Sequence, residues 1–234
     1  MQLSVTEASE LLGMSEDAIY DLIKKGRLPA LRSNRAYHIQ KAALLEWAIA
    51  NGHTIAPDLF ANRFQSPTER LPNLHEAMAE SRIYYGLQGS DPRSVIESII
   101  QPIPEIAPGE RPHVVAAIMS RELLGSTAIG NGIAIPHVRN PIVLDLDQPI
   151  VALSFLDTPI DFGALDDQKV GIFFTMLTTT TRIHLHLLAR LSFALRHPHV
   201  LSALNQRETP QKIIAAIRSV ELNIKPIAPM GAGA

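Results

Sequence analysis

Residues 125–139, Gly125 to Arg139, read GSTAIGNGIAIPHVR, and the fold of most of the chain turns on this stretch. Three glycines and the pair Ser126-Thr127 lead into a short apolar run, Ile133-Ala134-Ile135, which stops at Pro136-His137. Glycine lets a backbone take left-handed conformations and come close to a ligand. Successive exposed N–H groups in such a turn form a concavity that suits an anion. Thr127, Gly130, Asn131 and Gly132 are therefore the candidate phosphate loop. The apolar run predicts a short buried strand. Proline cannot donate to a ladder, so Pro136 is expected to end that strand and fix the position of His137.

The flanks supply alternating elements. Upstream, Arg82–Leu87 reads as a strand, and Asp91-Pro92 as an N-cap with proline at the first helical position, opening a helix through Ile100. A second helix is expected over about Glu110–Leu124. Downstream, Ile150–Phe155 and Val170–Leu177 read as buried strands. A long helix follows Thr178–Thr181 and runs to about Leu195, with further helices over about Val200–Leu204 and Pro210–Val220. Alternating strands and helices predict a layered α/β domain over residues 73–222, followed by a flexible tail at 223–234.

The long helix holds a second histidine of interest. Leu187, Leu188, Leu191 and Leu195 form one stripe at about 100° per residue, and His184 stands at its upper end. His186 points nearly the opposite way, beside Arg190, so the two cannot share a metal from a regular helix. His184 reads either as a core-edge residue or as a second imidazole beside His137, at a helix N-terminus that favours an anion.

Residues 1–50 have a different pattern. Thr6 is the expected N-cap of a helix ending at Gly13, and Ser15 of a second helix carrying Ile19, Tyr20 and Ile23. Two short helices joined by a tight Gly-Met turn match helix-turn-helix spacing. Leu28–Arg32 and Arg35–Ile39 around Ser33-Asn34 predict a hairpin, and a third helix starts near Lys41. Lys24, Lys25, Arg27, Arg32 and Arg35 cluster where phosphates of DNA would lie. Glu7, Glu10, Glu16, Asp17, Asp21 and Glu46 offset them, so the alternative is a small protein-interaction module. Residues 51–72, punctuated by Gly52, Pro57, Pro67 and Pro72, read as a linker with one helical turn at Pro57–Phe64.

Composition narrows the class. Of 234 residues, 46% are hydrophobic and 19% charged, with a net charge of -2, so any nucleic-acid contact must be local. No cysteine is present, which excludes disulfides, thiolate metal sites and cysteine nucleophiles. No signal-peptide pattern or membrane-length apolar run is seen, and the cytoplasm is the expected location. Gly125 and Gly130 are spaced as in a P-loop, but Asn131-Gly132 stands where Lys-Ser/Thr is required, so nucleotide binding is rejected. A Ser126–His137–aspartate triad and a metal site at His197-Pro198-His199 are set aside in the same way.

The N-terminal stretch TEASELLGMSEDAIYDLIKKGRLPA, with the wing near Arg35 and the closing ALLEWA, resembles the excisionase/MerR-like winged helix-turn-helix family. The resemblance implies a small, mainly helical DNA-binding domain over residues 1–50. It puts Ser15, Asp17, Ala18 and Asp21 on or near the reading helix and Lys25, Arg32 and Arg35 on phosphates. So small a footprint implies a possible homodimer.

STAIGNGIAIPHVR, together with RIHLHLLARLSFAL at 182–195, resembles the enzyme IIA domains of the phosphotransferase system, fructose/mannitol/nitrogen class. This implies a mixed sheet flanked by helices, with His137 accepting a phosphoryl group from the phosphocarrier HPr. It also implies His184 as the second active-site histidine and Arg121 as the arginine lining the site. No cofactor or metal is implied, and a permease IIB domain is the alternative acceptor. A relay histidine of this kind is expected to be exposed, since donor and acceptor must both reach it. The fusion implies a regulator that couples phosphorylation to DNA binding, with transport relay or a non-phosphorylated DNA-binding regulator as rivals.

Overall fold

In a computed structural model of the chain, the described residues are 2–33, 36–51, 53, 71–138 and 146–223. The N-terminal part opens with strand β1 (Gln2–Leu3), then α1 (Val5–Leu12) and α2 (Glu16–Lys24). Ser4, not Thr6, caps α1. Its hydroxyl accepts from the Glu7 amide and the Glu7 carboxylate accepts from the Ser4 amide. That reciprocal box satisfies two amides left open at a helix start, whereas Thr6 already lies in the first turn and donates to Glu16. Gly13 closes α1 in the left-handed region at φ 65°, and Ser15 caps α2.

β2 (Leu31–Ser33) and β3 (Ala36–Gln40) are antiparallel, and β3 also pairs with β1. The wing is thus a three-stranded sheet; β1 is too short to show a period. Asn34 and Arg35 lie outside the described residues, as do Gly52, residues 54–70 with the expected turn at Pro57–Phe64, and 224–234 of the expected tail. The next helix, α3 (Lys41–Ala50), buries Leu44, Leu45, Ala48 and Ile49. It is apolar around most of its circumference, and such a helix needs cover on more than one side.

The C-terminal part runs α4 (Leu74–Ala77), a 3-10 turn (Glu80–Arg82), β4 (Ile83–Leu87), α5 (Pro92–Ile100), α6 (Arg111–Glu122), β5 (Ala128–Gly130) and β6 (Ile133–Ala134). It continues with β7 (Ile150–Ile160), β8 (Val170–Leu177), α7 (Thr181–Ala194), α8 (Pro198–Asn205) and α9 (Pro210–Glu221). The five strands form a mixed sheet in the order β4-β7-β8-β6-β5. β4/β7 and β6/β8 are parallel; β7/β8 and β5/β6 are antiparallel.

Side-chain alternation along these strands sends residues to opposite faces. Ile133, Ile135, Val151, Leu153, Ile172, Phe174 and Met176 join the core that contains α7, α8 and α9. Ala134, Ile150, Ala152, Phe173 and Leu177 join the core beneath α5 and α6. The first core is continuous with the buried residues of the N-terminal part, and α3 packs on α7 and β5. The second cover that α3 needs is therefore the face of the sheet that carries α7.

β6 ends at Ala134, before Pro136, as expected, but contact with β8 resumes past the proline. Its carbonyl accepts from the Met176 amide at 2.9 Å, and His137 bridges to Met176, so pairing with β8 carries on to the histidine. A missing N–H costs nothing at a position where only the carbonyl is used.

Candidate functional site

Period 2 decides which way His137 faces. Ile133 and Ile135 lie on the α7 side, and His137 is two residues further along the same edge. His184 stands in the first turn of α7, whose start is set by Thr180 capping the Ile183 amide. The two imidazoles meet with ring centroids 4.9 Å apart, tilted by 42°. Arg121, from the last turn of α6, completes the group by donating from Nε to His137 Nε2 at 3.2 Å. Its Nη1 donates to the Gly125 carbonyl at 2.9 Å, tying the loop after α6 to the same guanidinium.

The Nδ1 atom of His137 lies 2.8 Å from the Ile135 carbonyl. A carbonyl can only accept, so Nδ1 carries the proton and, in the neutral ring, Nε2 holds the lone pair. Arg121 therefore addresses the nitrogen that holds the lone pair. Burial, then repulsion from His137, lowers the His184 pKa to about 3; Glu46 pulls the other way, and Arg121 adds a smaller lowering. His184 is thus a neutral ring able to offer one N–H.

His137 is only 2% exposed, contrary to the open histidine expected of a relay. The cover is a residue that sequence reasoning counted only as an offsetting charge. Glu46, on α3, places Oε1 3.1 Å from His137 Nε2 and Oε2 2.5 Å from Arg121 Nη2. Burial alone would raise its pKa. The His137 hydrogen bond and the charges of His137, Arg121 and His184 together outweigh that and lower it to about 2. The signal was present in LLEWAIA: one carboxylate in a seven-residue stretch that is otherwise apolar.

Glu46, His137 and His184 bring donor atoms within 4.8 Å of one another, a set of the type that binds zinc. The Arg121 guanidinium hydrogen-bonds to two of the three, so a positive group already stands where a cation would be held.

The glycine turn is the part of the expected site that the structure does not bring in as a free anion cradle. Asn131 (φ 54°) and Gly132 (φ 72°) are the tip of the β5–β6 hairpin. That tip lies roughly 17–20 Å along an extended chain from His137, at about 3.3 Å per residue. The Asn131 amide is already given to the Asp166 carboxylate at 2.9 Å. A Cβ at Gly130 would meet the same carboxylate at 3.0 Å. Thr127 does line the cavity beside His137, but its amide and hydroxyl are held by Glu122 at 2.8 and 2.7 Å. Asn131 and Gly132 thus form the hairpin turn, and Gly130 packs against Asp166.

His186 points away, as its spacing predicts. Its Nε2 meets the Pro72 carbonyl and Arg190 Nε, each at 3.0 Å. Burial and then Arg190 lower its pKa to about 4. Ser126 donates to the Phe162 carbonyl at 2.5 Å, which removes it from any triad. In the N-terminal part, the Ser15 hydroxyl is used in capping Ala18, while Asp17 is exposed on the same turn of α2. Lys25 pairs with Asp21 at 3.6 Å on the exposed surface, and Arg32 is exposed on β2 with its guanidinium carbon 5.9 Å from the Tyr37 ring centre. Arg35 lies outside the described residues.

A family model described as "Phosphoenolpyruvate-dependent sugar phosphotransferase system, EIIA 2" matches residues 76–220, and one described as "Helix-turn-helix domain" matches residues 3–52. The chain is similar to a nitrogen regulatory protein of Pseudomonas aeruginosa, 30% identical over 151 residues that span 63% of this chain and 96% of the relative. Its similarity to the nitrogen regulatory protein of Escherichia coli K12 is 35% over 113 residues, 47% of this chain and 68% of the relative. In fold it is similar to the nitrogen regulatory protein IIA-Ntr of Neisseria meningitidis, with a TM-score of 0.54 at 23% identity, covering 62% of this chain and 98% of that one.

Proposed function

We propose, from the premise that this chain belongs to the EIIA 2 family of the phosphoenolpyruvate-dependent sugar phosphotransferase system, that His137 is its phosphoacceptor. The observation that carries this is the grouping of His137 Nε2 with Arg121 Nε and the neutral His184 ring on one sheet face. The donor is an HPr-type phosphocarrier. Nε2 attacks the phosphorus of the donor phosphohistidine, and the donor P–N bond breaks with its electron pair returning to the donor ring. A P–N bond to Nε2 forms while Nδ1–H stays on the Ile135 carbonyl. Arg121 offsets charge on the phosphoryl oxygens in flight, and His184 can donate its N–H to one of them. Incubating the chain with enzyme I, HPr and phosphoenolpyruvate is expected to give one acid-labile phosphate per chain; an unlabelled chain refutes the reading.

The N-terminal module is proposed to bind DNA through α2 and the wing, with phosphorylation of His137 altering that binding. A relay module has no evident use for a helix-turn-helix unless it reports to DNA. Arg32→Ala is expected to weaken binding uniformly across sequences and to lower the slope of log affinity against log salt by about 1, as for one lost phosphate contact. An unchanged slope in gel-shift titrations removes Arg32 from the interface. Onward transfer to a IIB-type acceptor is the second reading. A chain of similar fold, IIA mannitol of Escherichia coli (TM-score 0.50, 20% identity), was solved in complex with phosphorylated IIB. No helix among the described residues is long and apolar enough to cross a membrane.

A further inference from the structure

The contact between Glu46 and His137 joins the two parts of the chain at the one atom the chemistry needs. Glu46 belongs to α3, the last helix of the N-terminal part, and reaches across to residues from α6 and the end of the β6 edge. Its carboxylate is an anion with two oxygens, one on Arg121 and one at His137 Nε2. A phosphoryl group on Nε2 would need that same guanidinium and that same space.

Each protonation state of His137 leaves Nε2 engaged. In the neutral ring Nε2 accepts from Arg121 with the Glu46 oxygen 3.1 Å away; in the charged ring Nε2–H donates to Glu46 and no lone pair remains. The cavity left among Glu46, Ile49, Arg121, Thr127, Ile135 and His137 is about 30 Å³. That is room for a water or two, not for an incoming phosphoryl donor. After transfer, a group carrying nearly two negative charges would face the half-buried Glu46 carboxylate at contact range, where the two repel.

We propose that Glu46 occupies the phosphoryl position of His137, so that docking of the winged helix-turn-helix through α3 and phosphorylation of His137 exclude each other. The proposal rests on His137 being the phosphoacceptor, as proposed above. The step itself is the P–N exchange already described, with Glu46 leaving Arg121 and the phosphoryl oxygens taking its place. Release of α3 uncovers Ile49 together with its partners on β5 and α7, so the phosphorylated chain differs in the position of a whole module. The unphosphorylated chain is the closed one.

The test combines a rate with a distance. The chain has no cysteine, so spin labels on Lys24→Cys and Leu222→Cys mark only those two exposed positions. With enzyme I, HPr and phosphoenolpyruvate, Glu46→Gln is expected to accept phosphate roughly tenfold or more faster than the parent chain, the factor expected from losing one charged hydrogen bond. The label–label distance is expected to be single and sharp in the unphosphorylated parent. It broadens on phosphorylation, and it is already broadened in Glu46→Gln. Equal rates with an unchanged distance in the phosphorylated chain overturn the proposal while leaving His137 as the acceptor. No phosphate on either chain overturns the functional reading instead. In that case an unchanged distance in Glu46→Gln still refutes the role given to Glu46, because the docking contact is read without any transfer.

Discussion

Replacing His137 by alanine is expected to reduce phosphoryl uptake by at least about a thousandfold, because the nucleophile itself is gone. The chain has nine histidines, and the loss is expected to fall on this one. Among the described residues His137 is the imidazole with its Nδ1 proton fixed by a backbone carbonyl and its Nε2 addressed by the Nε of an arginine. His184 does not replace it. Its ring lies against His137 and, among the described residues, receives no hydrogen bond from Arg121, whose Nε is given to His137. His199, exposed at the start of α8, is the control: His199→Ala should take up label as the parent chain does. Quantifying acid-labile phosphate in the three proteins checks this, and full labelling of His137→Ala would move the site elsewhere.

The second large effect concerns stability and lies away from the site. Glu221, at the end of α9, accepts from the amides of Leu74 and His75 at 2.7 and 2.9 Å and from Arg190 Nη1 at 2.8 Å, and contacts His75 Nδ1 at 2.5 Å. Its side chain is 2% exposed, so these groups replace the water it has lost. Burial would raise its pKa, but the His75 and Leu74 amides, the His75 ring and Arg190 together lower it. Glu221→Gln removes the buried charge and leaves the half-buried Arg190 without its carboxylate partner, at a cost of about 3 kcal/mol. The pH dependence follows from the direction of the shift. A carboxyl lower in the folded than in the unfolded chain contributes fully above its unfolded value. The contribution declines as pH falls through that value toward the native one. Urea unfolding should therefore show a large gap between parent and Glu221→Gln at neutral pH and a shrinking gap in acid. A constant gap would mean that the substitution acts through packing alone.

These two residues also mark what could and could not be read from the chain. His137, His184 and Arg121 were legible because strand alternation, helix spacing and a resembling motif all act over short stretches. Val170–Leu177 and the Asp91-Pro92 helix start were legible for the same reason, since caps and apolar runs are local. Glu221 was not legible: its partners at Leu74 and His75 lie about 146 residues earlier, and no local pattern announces such a contact. Glu46 was missed because charge counting treats a carboxylate as solvated, although the apolar residues on both sides of it required burial. The glycines of 125–132 read two ways. Positive φ at Asn131 and Gly132 answers to a two-residue hairpin turn, and the same residues in sequence suit either a turn or an anion. The hairpin was hidden because β5 is three residues long and its partner two.

Phosphorus–nitrogen NMR on the isotopically labelled, phosphorylated chain is the most direct measurement of the central claim. A phosphoryl group is expected on Nε2 of His137, with Nδ1 still protonated and hydrogen-bonded to the Ile135 carbonyl. A phosphoryl group on Nδ1 of His137, or on His184, would contradict it.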